Sequence, residues 1–315
     1  MIMGGLVLLT GGTGFFGRAI LAELLKQNFE VVAPGRPDFD LLDFGSVKAF
    51  LEKTKPQTIV HSAAYYGGLG ICMNEPSNLF LINTKMIINL LEAASKVNSI
   101  NRFMAIGSAC SYPGKIDGLL AENEYWEGPL HSSVEAYGFT KKIQYVGIRS
   151  FAKQYGWLGQ FPQITNLYGE HDVFTEYRSH VAASLIKRFA DAFLEEKSQV
   201  VNWGSGKPIR EFIYVKDAAQ AVVKLLQTDY SEVLNIGTGI GTSIKDLSEL
   251  IAEIVGYKGE IIWDTSKADG IMQKVLDAAT MKRVLNWDPP TTLKEGLQKT
   301  IAWYMENKEI ADSRI

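Results

Sequence analysis

Three runs of residues in this chain have the types and spacing to do chemistry. The first is Thr10-Gly11-Gly12-Thr13-Gly14-Phe15-Phe16-Gly17. Glycines at 11, 14 and 17 let the backbone come close to a pyrophosphate, and the free amides of a helix starting at the last of them direct partial positive charge at it. The second is Ile106-Gly107-Ser108, which ends an apolar run in a hydroxyl. The third, Tyr137-Gly138-Phe139-Thr140-Lys141, puts a phenol and an ammonium at i and i+4 on one helix face. With 13 tyrosines in the chain, about one Tyr-x-x-x-Lys pair should arise by chance. Its weight therefore comes from its company: cradle, serine and pair stand in the order that builds one site.

The chemistry these groups could perform is proton and hydride transfer at a carbonyl. A phenol titrates near 10, and a neighbouring ammonium favours the phenolate and lowers that value. Tyr137 would pass a proton to or from a substrate oxygen, Lys141 would steady it and a nicotinamide ribose, and Ser108 would hydrogen-bond the same oxygen. An acidic residue about 20 positions beyond the glycines normally takes the ribose hydroxyls of NAD. Here the tip reads Ala33-Pro34-Gly35-Arg36. An arginine suits a ribose 2′-phosphate by charge and by its planar donor fork, which favours NADP, while the nearby Asp38 leaves NAD open.

Such groups need a scaffold, and the apolar pattern supplies one. Residues 5–10, 30–33, 58–61, 102–106 and 157–164 read as strands, several without polar alternation, as expected for strands buried on both faces. Helical segments at 17–27, 44–54, 78–97 and 135–155 alternate with them. The implied fold class is α/β, a Rossmann-type doubly wound parallel sheet with a smaller C-terminal substrate-binding α/β domain. Beyond about residue 166 the rhythm loosens into helical patterns at 179–196, 215–227, 243–255 and 293–307, separated by Gly- and Pro-bearing turns. We expect residues 1–166 to form the dinucleotide domain, with a segment near 212–236 returning to it, and 167–315 to serve mainly the substrate.

Composition narrows the partners. The 315 residues carry 32 Lys plus Arg against 35 Asp plus Glu, a net charge of −3, which offers no basic field for a nucleic-acid backbone or an anionic membrane. No apolar run approaches the roughly 20 residues of a membrane span, and the apolar start has no basic flank of a signal peptide. Two cysteines, Cys72 and Cys110, are too few for a disulfide framework and point to the cytoplasm. No metal is expected.

Longer motifs add a resemblance. They are Ser62-Ala63-Ala64 followed by Gly67-Gly68; Gly107-Ser108-Ala109-Cys110-Ser111-Tyr112-Pro113; Asn166-Leu167-Tyr168-Gly169-Glu170-His171-Asp172; Ser179-His180-Val181; the run from Trp203 to Phe212; and Asn235-Ile236-Gly237-Thr238-Gly239 with Lys267-Ala268-Asp269-Gly270. On these residues, over nearly its whole length, the chain resembles the extended short-chain dehydrogenase/reductase superfamily and, within it, the GDP-L-fucose synthase family. That resemblance implies an NADPH-dependent 3,5-epimerase and 4-reductase acting on a GDP-4-keto-6-deoxyhexose, and a homodimer. It also implies that Cys110 and His180 form the epimerisation pair, one removing a proton beside the keto group and the other returning one to the opposite face. The cofactor would be held by Gly11, Gly14, Phe15, Phe16, Gly17, Arg36, Ala63, Gly107, Lys141, Ile164, Asn166 and His180. Arg188, Trp203, Arg210 and Asp269 would hold the nucleotide sugar.

Departures from the family pattern are also legible. Tyr65-Tyr66 stands where a lysine and an aliphatic residue are usual, Thr13 replaces a basic residue of some members, Val215-Lys216-Asp217 replaces paired aspartates, and Ala268 replaces a proline. Two other readings are a GDP-sugar 3,5-epimerase holding NAD without net redox, which would place a lysine where this chain has His180, and a non-catalytic dinucleotide-binding regulator. The second of these would have no need of Ser108, Tyr137, Lys141, Cys110 and His180 together. A 4,6-dehydratase would need an acidic residue just after the strand-end hydroxyl, where Ala109 and Cys110 stand.

Overall fold

A computed structural model describes residues 5–313 apart from 117, 176 and 268, and leaves the side chain of Leu69 undescribed; the Ala268 departure therefore lies outside the described residues. In chain order the first half runs β1 (Val7–Thr10), α1 (Phe15–Lys26), β2 (Val31–Val32), α2 (Phe44–Thr54), β3 (Thr58–His61), α3 (Leu69–Asn74), α4 (Pro76–Ala94), β4 (Arg102–Ala105), β5 (Gly107–Ser108), α5 (Glu135–Tyr155) and β6 (Leu158–Ile164). The second half runs β7 (Asn166–Tyr168), α6 (Val181–Leu194), β8 (Gln199–Trp203), β9 (Ile209–Tyr214), α7 (Val215–Leu226), β10 (Val233–Ile236), β11 (Gly241–Ser243), α8 (Ile244–Val255), β12 (Glu260–Asp264), β13 (Gln273–Lys274), α9 (Ala279–Leu285), α10 (Leu293–Glu306) and α11 (Lys308–Ser313).

Seven strands make one parallel sheet in the order β10-β6-β4-β3-β1-β2, with β5 also paired to β6. The chain leaves β1 in one direction to β2 and in the other to β3, so the strand order reverses at β1, where a crevice opens at the carboxyl ends. Successive strand side chains point to opposite faces. Leu8 joins Ile59 and Phe103 under α2, α4 and α5, whereas Val7 and Leu9 join Val60 and Met104 under α1 and α7. Both faces are covered by helices, which is why these strands carry no polar alternation.

Helix ends follow local chemistry. Pro76 occupies the first turn of α4, where its missing amide costs nothing. Helix α1 begins at Phe15 rather than at Gly17. The expected start is displaced because Gly17 is a packing position within the first turn: a Cβ there would lie 1.9 Å from the Gly11 carbonyl oxygen.

The second half holds strands that its irregular pattern did not disclose. β9 is central to a four-stranded sheet, pairing parallel to β7 and β13 and antiparallel to β11, while β8 and β12 form a parallel pair. They are two to six residues long, and β8 alternates exposed and buried, too short a signal to stand out beside helices. Phe189, Phe212, Leu247, Ile251, Leu297 and Tyr304 build the core here. β10 returns to the parallel sheet beside β6. Buried Glu211 ties that return to β9 by accepting the amides of Thr238, Gly239 and Leu276.

Candidate active site

A cleft of about 530 Å³ opens at the carboxyl edge of the parallel sheet. Gly11, Gly14, Phe15, Phe16, Gly17, Arg36, Ala63, Gly107, Ser108, Tyr137, Lys141, Ile164 and His180 all line it. Strand β1 delivers the glycine run. Gly11 has φ +72°, and a Cβ on it would come within 2.7 Å of the Ala63 amide nitrogen. Gly14 caps α1 without a side chain, so the first amides of the helix face the crevice. A cradle that excludes Cβ atoms and ends in a helix N-terminus fits a dinucleotide pyrophosphate. At the next strand tip exposed Arg36 lines the cleft and Asp38 does not, an arrangement that suits a 2′-phosphate. Asp40, which the motif reading passed over, also lines it.

β5 carries Ser108 beneath the amino end of α5. Its amide donates to Gln163 Oε1 at 2.9 Å, and its Oγ accepts the Cys110 amide at 3.2 Å. Gly107 leaves no room for a Cβ, which would stand 2.3 Å from Gln163 Oε1. One turn apart on α5, Tyr137 and Lys141 are both buried. Lys141 Nζ donates to the Ile106 carbonyl at 2.8 Å and to Gln144 Oε1 at 3.3 Å, and lies 5.4 Å from the centre of the Tyr137 ring.

One expectation about this pair is overturned. The lysine was expected to lower the pKa of the phenol, yet burial holds Tyr137 well above its ordinary value. Burial likewise pushes Lys141 down to about 8. Desolvation of the phenolate outweighs the attraction of an ammonium held at this distance and engaged by a carbonyl.

Cys110 does not line the cleft. It packs beside Tyr137, Ile71, Leu79, Tyr65 and Cys72, and Lys274 Nζ from β13 donates to its Sγ at 3.5 Å. That lysine had no place in the sequence reading, because its nearness to Cys110 arises from β13 pairing with β9. Cys72 is half-buried in the same cluster, its thiol pushed up to about 11 by burial. His180 caps α6 and lines the cleft. Its imidazole is pushed down to about 4 by burial, so at neutral pH it is uncharged.

Asn166 is not brought to the cleft; its Nδ2 donates to the Glu211 carbonyl at 2.8 Å and binds β7 to β9. Nor do the four residues implied for the nucleotide sugar line it. Arg188 Nη1 donates to Asn202 Oδ1 at 2.7 Å, Trp203 is 63% exposed at the end of β8, and Asp269 accepts the amide and hydroxyl of Ser205. Arg210 is held below its ordinary value by burial, and it lies near both Cys110 and Asp269. The sequence reading also missed Tyr66 and Arg178 as lining residues. Contacts of Tyr66 and Gly68 with Arg178 and Ser179 bring them there.

Residues 7–237 match the model of the NAD dependent epimerase/dehydratase family. The chain is 36% identical to the probable GDP-L-fucose synthase 1 of Oryza sativa subsp. japonica, over 96% of this chain and 93% of the relative. It is 33% identical to the GDP-L-colitose synthase of Yersinia pseudotuberculosis, over 96% and 98%. The crystal structure of a GDP-L-fucose synthetase from Naegleria fowleri bound to NADP superposes with a TM-score of 0.88 at 30% identity, over 99% of this chain and 96% of that one.

Proposed function

The chain belongs to the NAD dependent epimerase/dehydratase family, and from that premise we propose that it is a nucleotide-sugar 3,5-epimerase and 4-keto reductase. It uses NADPH and acts on a GDP-4-keto-6-deoxyhexose or a close relative. The observation that carries this reading is the cleft itself, where the glycine cradle with Arg36 and the Ser108, Tyr137 and Lys141 group share one wall system with His180.

Bound NADPH would supply the hydride that reduces the C4 ketone. Gly11, Gly14 and the first turn of α1 hold its pyrophosphate, and Arg36 its 2′-phosphate. Burial keeps Tyr137 protonated, as the donor of a proton to the 4-oxygen must be. Ser108 hydrogen-bonds that oxygen, and Lys141 fixes the ribose and stabilises the phenolate that forms. The keto group acidifies the hydrogens at C3 and C5. Cys110 and His180 exchange those protons, one taking and the other returning on the opposite face. Arg188, Trp203, Arg210 and Asp269 receive the GDP portion beyond Cys110.

The partner is a second copy of the chain. Helices α4 and α5 pack on one another, leaving Leu81 and Ile88, and likewise Phe139 and Val146, exposed at seven-residue spacing. Two such stripes suit a four-helix interface. In sedimentation the protein should run as a dimer and Ile88→Glu as a monomer; a monomeric parent chain would refute the interface. The cytoplasm suits the two free thiols.

The reaction is tested by mixing purified protein with NADPH and GDP-4-keto-6-deoxymannose. Loss of the nicotinamide absorbance with formation of a 4-hydroxy sugar is expected. Dinucleotide binding without any absorbance loss on a panel of GDP-4-keto sugars would remove the reductase reading.

A further inference from the structure

Between the residues proposed for reduction and those proposed for epimerisation stands a side chain that neither role uses. The Tyr66 ring is stacked on His180, with centroids 4.6 Å apart and planes 22° from parallel, and lies 5.1 Å from the Tyr137 ring. Its hydroxyl is 3.3 Å from His180 Nδ1. The other imidazole nitrogen, Nε2, is buried and has no hydrogen-bond partner among the described residues.

The seat of this contact is built from both backbones. The Gly68 amide donates to the Arg178 carbonyl at 2.9 Å, and Arg178 Nη2 donates to the Tyr66 carbonyl at 3.2 Å. Gly68 meets the Ser179 carbonyl so closely that a Cβ would stand 2.3 Å from its oxygen. Tyr66 and His180 are thus held on two segments locked flush against each other. Although Tyr66 is 39% exposed as a residue, desolvation raises its phenol well above the ordinary value, so it keeps its proton.

We propose that Tyr66 is a positioning residue for His180: its hydroxyl donates to Nδ1 and its ring fixes the imidazole plane, so that the proton of the neutral ring resides on Nε2. A neutral imidazole carries one N–H, and a hydrogen bond accepted at one nitrogen assigns the proton to the other. The phenol is the better donor of the two groups. Leaving Nε2–H buried without an acceptor is costly, so the tautomer depends on the hydrogen bond that Tyr66 supplies on the other nitrogen. Tyr66 thereby decides which nitrogen of His180 carries the proton when a substrate enters the cleft that His180 lines. The catalytic meaning of the contact rests on the epimerase role proposed for His180; the tautomer does not.

Two measurements on the NADP-bound protein test this. With labelled histidines, two-bond proton–nitrogen correlations read the tautomer of each of the four imidazoles, the His180 set being the one missing in His180→Asn. The parent chain should show a bare Nδ1 and a protonated Nε2, and Tyr66→Phe, which keeps the ring and loses the hydroxyl, should show a mixture of tautomers. Deuterium wash-in from solvent into GDP-4-keto-6-deoxymannose should fall about tenfold in Tyr66→Phe and at least as far in Tyr66→Val, with NADPH affinity unchanged. A parent chain with the proton on Nδ1, a Tyr66→Phe protein that keeps the parent tautomer, or unchanged wash-in in Tyr66→Phe would overturn the proposal. The expected tautomers with no wash-in even in the parent chain would support the positioning by Tyr66 and count against the substrate reading instead.

Discussion

At the scale of single residues the two proposed tasks meet in one cleft through His180. Cys110 is half-buried against the cluster that includes Tyr137, with its sulfur 3.5 Å from Lys274 Nζ, and is not among the cleft-lining residues, whereas the hydride-transfer group and His180 are. Cys110→Ala should therefore abolish solvent deuterium exchange at C3 and C5 while NADPH still binds, as read by NMR of recovered sugar and by fluorescence titration; unchanged exchange would mean that another base acts. Arg36 faces the cleft from an exposed strand tip. Replacing it by alanine removes a charge-assisted contact to a group that only NADPH carries. Affinity for NADPH should fall about tenfold or more, and affinity for NADH should hold. Equal losses would show that Arg36 does not read the 2′-phosphate. Ser108, Tyr137 and Lys141 could be picked out because their types and order suffice to suggest a proton path. Tyr66 could be seen only as a departure, since nothing in its neighbours specifies that its hydroxyl ends beside a histidine 114 positions away.

At the scale of elements, the cradle depends on how closely α1 enters the turn that precedes it. The Cβ of an alanine at 17 would overlap the Gly11 carbonyl at 1.9 Å, so strand end and helix would have to part. Gly17→Ala is expected to cost about 1–3 kcal/mol of stability and to reduce NADPH affinity by more than tenfold, seen as a lowered melting temperature and a shifted titration midpoint. Retained affinity would show that the pyrophosphate is bound elsewhere. Strands β1 to β6 and helices α1, α2, α4 and α5 were legible because apolar runs and amphipathic periods repeat there, while β10 was expected only within a segment near 212–236 that returns to the sheet. β7, β8, β9 and β11 to β13 were not legible. They pair with segments distant in sequence, several of them are only partly buried, and two to six residues give too short a period to read.

At the scale of the whole molecule, burial at the sheet edge couples folding to pH. His61, hydrogen-bonded through Nδ1 to Thr10 Oγ1 at 2.8 Å, is pushed down to about 3 by burial and by Lys141, and His180 to about 4 by burial. Both folded values lie below the ordinary 6.5 of an unfolded chain, so the unfolded state binds more protons in between. Stability is therefore retained above about pH 6.5 and lost as the pH falls toward 4, at up to about 1.4 kcal/mol per pH unit for each imidazole. Urea midpoints measured from pH 7 to pH 4.5 should decline, and decline less steeply in His180→Asn. An equal slope in that variant would show that His180 does not contribute to the acid limit.

The sequence by itself determined the reaction type it could host: a glycine turn after an apolar run, a hydroxyl at a strand end and a phenol one helical turn before an ammonium are local patterns, and local geometry follows from them. Tertiary structure alone decided the remainder. It placed Lys274 on Cys110, turned Asn166 away from the cleft, and set Tyr66 against His180. It also kept the Tyr137 phenol protonated, against the expectation drawn from its neighbouring lysine. Each of these depends on which distant segments exclude water from which groups, and burial is a property of the packed assembly that no run of neighbouring residues contains.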